Sequence, residues 1–436
     1  MILQVSQLGN RIRHLLRSES FGRNVAILAS GSAVGYGVAF AATPLLTRIY
    51  SPEEFGALAV YMSVVGMLGN VVTLRYPLAI PLPEDDDSAL SLLLLSLGIA
   101  FIISLILFIA QFFWGEEIVR AAGIEAIASY LWLVPVGLLG IGTYQSLNYW
   151  AVRTSDFGPI SQTKIIQSVG MVIIQLTFGF FNPGAFGLIV GDVFGRVGGS
   201  GSLAVRAFAR QRQSIHRMTF NDLIKSAIRY RRFPMISASS SLLNSAGLQI
   251  APLLLASFYG VKVAGLFALS QRIIGIPMVL FGQAIGQVFY GEFAKKKYEG
   301  QVVMRGLYLG MAKKLAIYGA IPVLVLGLWG PDVFGLIFGN AWRDAGIYTQ
   351  TLAAMFLIQF VVVPLSQTLT ILEKQVVQFI WDALRLLLVI AALYGASFLK
   401  LSPLTAILLY GISMFLSYAM LFLLSLKVIE TTGAQG

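Results

Sequence analysis

Residues 88–113, SALSLLLLSLGIAFIISLILFIAQFF, carry no charged side chain. A hydrocarbon core roughly 30 Å thick is crossed by about 20 helical residues, and this stretch is long enough to do it. Backbone inside lipid must satisfy its own hydrogen bonds, so the predicted conformation is a helix that spans the bilayer. Working outward in both directions, comparable stretches recur from Asn24 to Leu426 with only short charged turns between them. The predicted spans are Asn24 to Leu46, Phe55 to Ile80, Ser88 to Phe113, Ile124 to Asn148, Ile160 to Phe181 and Gly184 to Ala207 in one half. Pro234 to Tyr259, Val263 to Tyr290, Gly306 to Trp329, Ala345 to Ile371, Gln375 to Phe398 and Pro403 to Leu426 make up the other. The expected fold is an all-α integral membrane protein of about twelve transmembrane helices.

Composition points the same way: 57% hydrophobic and 12% charged residues exceed what a soluble chain of 436 residues shows. There is no cysteine, which removes disulfides, thiolate metal sites and cysteine nucleophiles. His14 and His216 both sit in basic polar segments, so no metal site is predicted and no cofactor is called for. The net charge of +11 fits membrane topology better than a nucleic-acid partner.

Twelve spans put both termini on one side, and lysine and arginine identify it. Arg11, Arg13, Arg17 and Arg23 precede the first span, eight basic residues lie from Arg206 to Arg232, and Lys295 to Lys297, Arg305, Lys313 and Lys314 flank the eighth connection. The opposite connections hold Arg48, Arg120, Lys262, Arg343 and Lys400. That asymmetry predicts cytoplasmic termini. The first span is long, follows a polar-rich segment and precedes Arg48, which does not fit a cleaved signal peptide.

An offset of 209 residues relates Arg23 to Arg232, Ser30 to Ser239, Ser32 to Ser241, Leu45-Leu46 to Leu254-Leu255, Tyr50 to Tyr259 and Gly56 to Gly265. Ala122-Gly123-Ile124 is echoed by Ala345-Gly346-Ile347. Six spans separate the matched elements, so the halves share one orientation, as in transporters built from parallel repeats with substrate between two lobes. The predicted organisation is a basic N-terminal segment (1–23), a six-helix lobe (24–207), a basic cytoplasmic linker (208–233), a second six-helix lobe related by a parallel pseudo-two-fold (234–426), and a cytoplasmic tail (427–436).

The block Leu45-Leu46-Thr47-Arg48-Ile49-Tyr50-Ser51-Pro52-Glu53-Glu54-Phe55-Gly56, with Arg75-Tyr76-Pro77-Leu78-Ala79-Ile80 after it, resembles the N-terminal hallmark of polysaccharide-biosynthesis flippases. That family belongs to the multidrug, oligosaccharidyl-lipid and polysaccharide exporter superfamily. The resemblance covers most of the chain and implies movement of a polyprenyl-pyrophosphate-linked oligosaccharide to the outer leaflet of a bacterial plasma membrane, for O-antigen or exopolysaccharide assembly. The block marks the family but not the sugar carried. Locally, Ser51 reads as an N-cap, Pro52 as N1, and Glu53 and Glu54 as complements of the helix dipole.

A pyrophosphate crossing lipid needs a hydrated cationic passage, and ionisable groups within spans usually face a cavity or a partner. The basic candidates for substrate binding are Arg272, Arg75, Arg196 and Arg385, with Lys164 nearer the cytoplasmic end of its span. Arginine stays protonated and its planar fork offers a pyrophosphate two parallel donors. Arg75 lies close enough to a span end to snorkel instead; Arg272, beside Gln271 and ahead of Gln283 and Gln287, is harder to place that way. In the resembled family the first, second, seventh and eighth helices line the cavity, which favours both.

Asp192 and Arg196 stand at i, i+4 and Asp382 and Arg385 at i, i+3, so each pair meets on one helix face. Each is read either as internal neutralisation or as a carboxylate that exchanges protons or sodium, and sequence does not choose. Ser237, Ser241, Ser245 and Gln249, with Asn244 adjacent, form a polar stripe that either glues a helix interface or lines a sugar passage. Gly187, Gly191, Gly195 and Gly199 recur every fourth residue and read as a close-packing face. Trp114, Tyr130, Trp132, Tyr144 and Trp150 read as an interfacial belt.

The rival readings are a drug exporter of the same superfamily and a multi-span polymerase or ligase acting on lipid-linked sugars. Four intramembrane arginines against two carboxylates disfavour the first, and short outer connections without histidine disfavour the second, so no enzymatic activity is expected. The expected partners are the lipid-linked substrate, membrane lipid, a proton or sodium ion, and polysaccharide-assembly proteins.

Overall fold

The computed structural model describes residues 19–181, 184–296 and 300–432, and among these every regular element is helical. Arg11, Arg13, His14, Arg17 and Lys297 lie outside the described residues, as do 433–436 of the expected tail; the side chains of Arg23, Gln283, Gln287 and Lys295 are likewise not among those described. The first half comprises α1 (Glu19–Ile49), α2 (Pro52–Gly69), α3 (Asp86–Ala122), α4 (Leu133–Arg153), α5 (Phe157–Phe181), α6 (Ala185–Val197) and α7 (Ser200–Arg210). A connecting stretch carries α8 (Arg212–Arg217) and α9 (Phe220–Arg229), and a π turn (Phe233–Ser237) leads out of it. The second half holds α10 (Ala238–Tyr259), α11 (Val261–Lys296), α12 (Gln301–Phe338), α13 (Arg343–Thr351), α14 (Ala353–Leu365), α15 (Gln367–Ile371), α16 (Gln375–Phe398) and α17 (Pro403–Thr432).

The chain is a multi-pass membrane protein. Eight described helical segments are long and apolar enough to cross a bilayer, and even the best buried of them has only half of its apolar window inside the protein. Their remaining faces present large apolar side chains outward, among them Phe112, Phe181 and Phe398, as a lipid-facing surface requires. Helix ends follow local chemistry. Ser51 and Glu54 form a capping box, the Ser51 amide donating to Glu54 Oε2 at 2.6 Å, with Pro52 at N1. Asp85 caps α3 by accepting from the Ser88 amide at 2.6 Å, and the acidic stretch around it is held by Arg153, which donates to Pro83 O and pairs with Asp86 at 2.9 Å. Gly123 ends α3 in the left-handed conformation.

One expected span is corrected, and two others, the sixth and the tenth, are found as spans that carry internal breaks. The second does not run to Ile80: α2 stops at Gly69, Leu74 and Arg75 adopt φ of 49° and 63°, and a 3₁₀ turn covers Tyr76–Ala79. Left-handed backbone is costly for residues with a Cβ, so Arg75 sits at a reversal and not within a helix. The sixth is broken between α6 and α7, where Gly199 takes φ 73°. The tenth is three short helices, α13 to α15. The expected tail also begins as helix, since α17 continues to Thr432.

Packing follows one pattern in both halves. α1 packs on α5, α5 on α6, α3 on α4 and α4 on α6; α10 packs on α16, α16 on α17, α12 on α14 and α14 on α17. α3 and α12 each carry a non-helical Trp, Trp114 and Trp329, immediately before a glycine. The halves meet where α2 packs on α10 and α11. In α6, a Cβ at Gly187 or Gly191 would collide with Phe178 or Gln175 of α5 and one at Gly195 would press on Met171, so those glycines do permit close approach.

Candidate functional site

At the end of the bundle away from the α7–α10 connection, α2 and α11 cross backbone to backbone. A Cβ at Gly56 would lie 1.9 Å from Val261 O, and one at Gly265 would lie 1.8 Å from Pro52 O. The contact is reciprocal, because Pro52 and Val261 are separated by the same 209 residues as the two glycines. Around it, Trp342 donates to Thr47 O at 2.8 Å and packs edge-on against Phe55, and Ser257 donates to Gly123 O at 2.6 Å. This end is sealed.

Below the seal, charge from both halves converges. Arg196 Nε donates to the Asp192 carboxylate on α6. Arg272, from α11, donates to Ala39 O of α1 at 3.2 Å and also lies within the field of Asp192. Tyr61 of α2 feels both Asp192 and Arg196 and donates to Leu133 O. Arg196 pairs with the Asp192 carboxylate, whereas Arg272 donates to a backbone carbonyl, so the two cations carry one more charge than that carboxylate offsets. On the other face of the same turn of α11, Ile273 and Ile274 line an almost wholly apolar cavity of about 580 Å³ that Tyr318, Phe356 and Phe360 help enclose.

The second half holds a separate buried network. Arg385 pairs with Asp382 at 3.0 Å, donates to Asn244 Oδ1 at 3.0 Å and stacks 4.6 Å over the Trp381 ring. Gln378 donates to the other Asp382 oxygen, Gln359 donates to Tyr418 Oη, and Gln271 donates to Tyr410 Oη. Here cation and anion are one to one, and the pair is buried.

The polar stripe of α10 divides between neighbours. Ser245 is buried and accepts from Asn70 Nδ2 at 2.7 Å, Gln249 lies against Gly66 of α2, and Asn244 turns to Arg385. Ser241 is half-buried near the start of α10, and Ser237 falls in the π turn. At the connection end of the first half, Lys164 lies 5.1 Å over the Tyr144 ring, and the buried Arg75 Nε makes no hydrogen bond. The sequence-predicted cations are thus distributed: Arg196 is held by Asp192, Arg272 bonds to α1, and Arg385, Lys164 and Arg75 lie elsewhere. Sequence reasoning missed Tyr61, Asn70, Gln359, Tyr410 and Tyr418. Their partners are 59 to 175 residues away, and only the matched spacing of the halves hinted at which helices would meet.

A family model described as polysaccharide biosynthesis protein matches residues 45–347. The chain belongs to that family. The chain is 25% identical over 395 residues to the succinoglycan biosynthesis transport protein ExoT of Rhizobium meliloti (strain 1021), covering 87% of this chain and 75% of that one. It is 27% identical over 291 residues to the teichuronic acid biosynthesis protein TuaB of Bacillus subtilis (strain 168), covering 66% of this chain. The match spans 56% of TuaB, just over half its length. In fold, the chain is similar to an inward-facing multidrug resistance MATE family transporter of the MOP superfamily, with TM-score 0.72, 15% identity, and coverage of 92% and 95%. It is also similar to the lipid II flippase MurJ in an inward closed conformation, with TM-score 0.73, 12% identity, and coverage of 94% and 90%. This member of the polysaccharide biosynthesis protein family therefore has the fold of a membrane transporter or flippase.

Proposed function

We propose that this chain moves a polyprenyl-pyrophosphate-linked oligosaccharide from the cytoplasmic to the outer leaflet of a bacterial plasma membrane by alternating access. The observation that carries the proposal is Arg272: a cation from one half bonded to α1 of the other, with the Asp192–Arg196 pair on one side and an apolar cavity on the opposite face. An amphiphile with an anionic head and a hydrocarbon tail needs that combination. Arg75 and Lys164, neither paired with a carboxylate among the described residues, extend the positive lining toward the connection end. Ser237, Ser241, Asn244, Ser245 and Gln249 offer hydrogen bonds to sugar, and Arg385 sits behind Asn244.

In this reading α1 to α7 and α10 to α17 form two lobes of six spans each, residues 24–207 and 234–426, related by a parallel pseudo-two-fold. The repeated packing pattern, the two Trp-Gly kinks and the reciprocal glycine contact support it. The basic linker, 208–233, and both termini are cytoplasmic, so the sealed end faces outward and substrate enters from the linker side. Asp192 and Asp382, each neutralised by an arginine, are the candidates to exchange a proton or sodium ion as the lobes rock. The chain is not an enzyme in this reading: it supplies cations and hydroxyls, and hands product to polysaccharide-assembly proteins. A drug exporter would place an unpaired carboxylate, not Arg272, between the halves.

The test is binding of a polyprenyl-pyrophosphate oligosaccharide to purified protein, against the same sugar on an uncharged polyprenyl lipid. Arg272→Ala is expected to weaken binding of the charged form about 10- to 100-fold, the loss of a charge-assisted contact, and to leave the uncharged form unchanged. Equal affinity for both lipids in the wild type overturns the reading.

A further inference from the structure

α9 is strongly amphipathic, and its apolar face is bare. Phe220, Ile224 and Ile228, spaced i, i+4 and i+8, are 76%, 41% and 61% exposed. The protein-facing side is different: Ser226 is buried, and Tyr76 donates to Ala227 O at 3.0 Å, which ties the helix to the Arg75 reversal. Asn221, Lys225 and Arg229 lie on the third side, and the last two are exposed. Apolar, basic and protein-bound faces thus run side by side along one helix.

What covers the bare stripe follows from its surroundings. Beyond α9 the exposed apolar surface continues through Met235 and Ile236, 70% and 66% exposed, to Leu242 and Leu248 on α10, a helix that spans the bilayer. The stripe is therefore an extension of the lipid-facing surface. The segment from Arg206 to Arg232 carries eight basic residues and a single acid, Asp222, which accepts from the Thr219 hydroxyl at 2.7 Å and lies 3.7 Å from the exposed Lys225 ammonium, so positive charge stays in large excess. A helix with an apolar stripe and flanking cations lies in the interface plane, and each cation near an anionic surface adds attraction.

We infer that α9 is an interfacial helix that inserts Phe220, Ile224 and Ile228 into one leaflet and binds anionic phospholipid headgroups through Lys225 and Arg229. Its hold on Tyr76 makes the bilayer surface a direct neighbour of the Arg75 turn. The inference stands independently of what is transported.

The chain lacks cysteine, so single-cysteine variants of the full-length protein report one site each. Ile224→Cys and Asn221→Cys would be labelled with an environment-sensitive fluorophore and reconstituted into phosphatidylcholine vesicles with and without about one-third phosphatidylglycerol. Nitroxide lipids labelled at a shallow acyl position are expected to quench the Ile224 label several-fold more than the Asn221 label. The difference should widen with phosphatidylglycerol and should lose that widening in Lys225→Gln/Arg229→Gln. Hydrogen exchange of amides 220–229 in unlabelled wild type should slow in the phosphatidylglycerol vesicles. Equal quenching of both labels by aqueous iodide in both vesicles overturns insertion. Quenching and exchange that ignore phosphatidylglycerol overturn headgroup binding, and protection seen only in native membranes makes the occupant a protein instead.

Discussion

Adding one methyl group at the α2–α11 crossing should open the sealed end. A Cβ at Gly265 falls 1.8 Å from Pro52 O and 2.8 Å from the Gly56 nitrogen, and one at Gly56 falls 1.9 Å from Val261 O. Favourable contact lies near 3.5 Å, so the helices must separate by roughly 1.5–2 Å to admit it. The obstructing atoms are backbone, which cannot rotate away as a side-chain tip would. Overpacking of this kind costs about 1–3 kcal/mol. Only the closed arrangement bears it, since the clash disappears once α2 and α11 part. The equilibrium should therefore move toward the opened state by about 5- to 150-fold. Exposed Glu53 and Lys262 flank the crossing, so Glu53→Cys/Lys262→Cys gives a spin-label pair in a chain without native cysteine. Double electron–electron resonance should show a longer-distance population growing in Gly56→Ala and in Gly265→Ala. The two substitutions should combine non-additively, because either one already separates the helices. If the distance distribution stays unchanged while thermal stability falls, the crossing is a structural joint and not a gate, and the reasoning fails.

Three further outcomes follow. Arg385→Ala leaves Asp382 buried without its cation and should lower stability by about 3–5 kcal/mol; a thermal denaturation midpoint within error of wild type would refute the role of the buried pair. The Asn70–Ser245 bond, 2.7 Å long and joining the halves, should give a double-mutant coupling of about 0.5–1.5 kcal/mol on substitution of each by Ala, and zero coupling would sink it. The Thr219 hydroxyl, then its amide, hold the Asp222 carboxyl below the ordinary carboxylate range. A lowered folded-state value stabilises above the unfolded value and is lost as pH falls through the folded one. The protection factors of amides in the first turn of α9, exchange corrected for its intrinsic pH dependence, should thus hold from pH 7 to about pH 5 and fall only in stronger acid, whereas Asp222→Asn should lower them already at pH 7.

Much of the fold was legible, for physical reasons that also explain the failures. The run from Ser88 to Phe113 can be only a buried or spanning helix, and Ser51-Pro52-Glu53-Glu54 reads as a helix start because each residue answers an orphan donor or the dipole. The second span was overrun because Val71 to Tyr76 is apolar enough to pass as helix. The corrective signal was Pro77, which disfavours helical backbone at the residue before it. The 209-residue offset matched Gly56 with Gly265, but a match says nothing of contact, and that they meet follows only from the crossing of α2 and α11. Arg385 with Asp382 was readable as a local i, i+3 pair. Tyr410 and Tyr418 were not, because a tyrosine in an apolar helix looks the same whether it faces an interface or receives a glutamine from another helix.

The most direct measurement of the central claim is leaflet exchange of a polyprenyl-pyrophosphate oligosaccharide in proteoliposomes, with Arg272→Ala and Arg272→Lys beside the wild type. The account predicts exchange well above the protein-free rate for wild type, loss in Arg272→Ala with folding intact, and partial retention in Arg272→Lys, which keeps the charge but not the planar fork. Wild-type exchange at the protein-free rate, exchange indifferent to Arg272, or new glycosidic bonds between the sugars would contradict it.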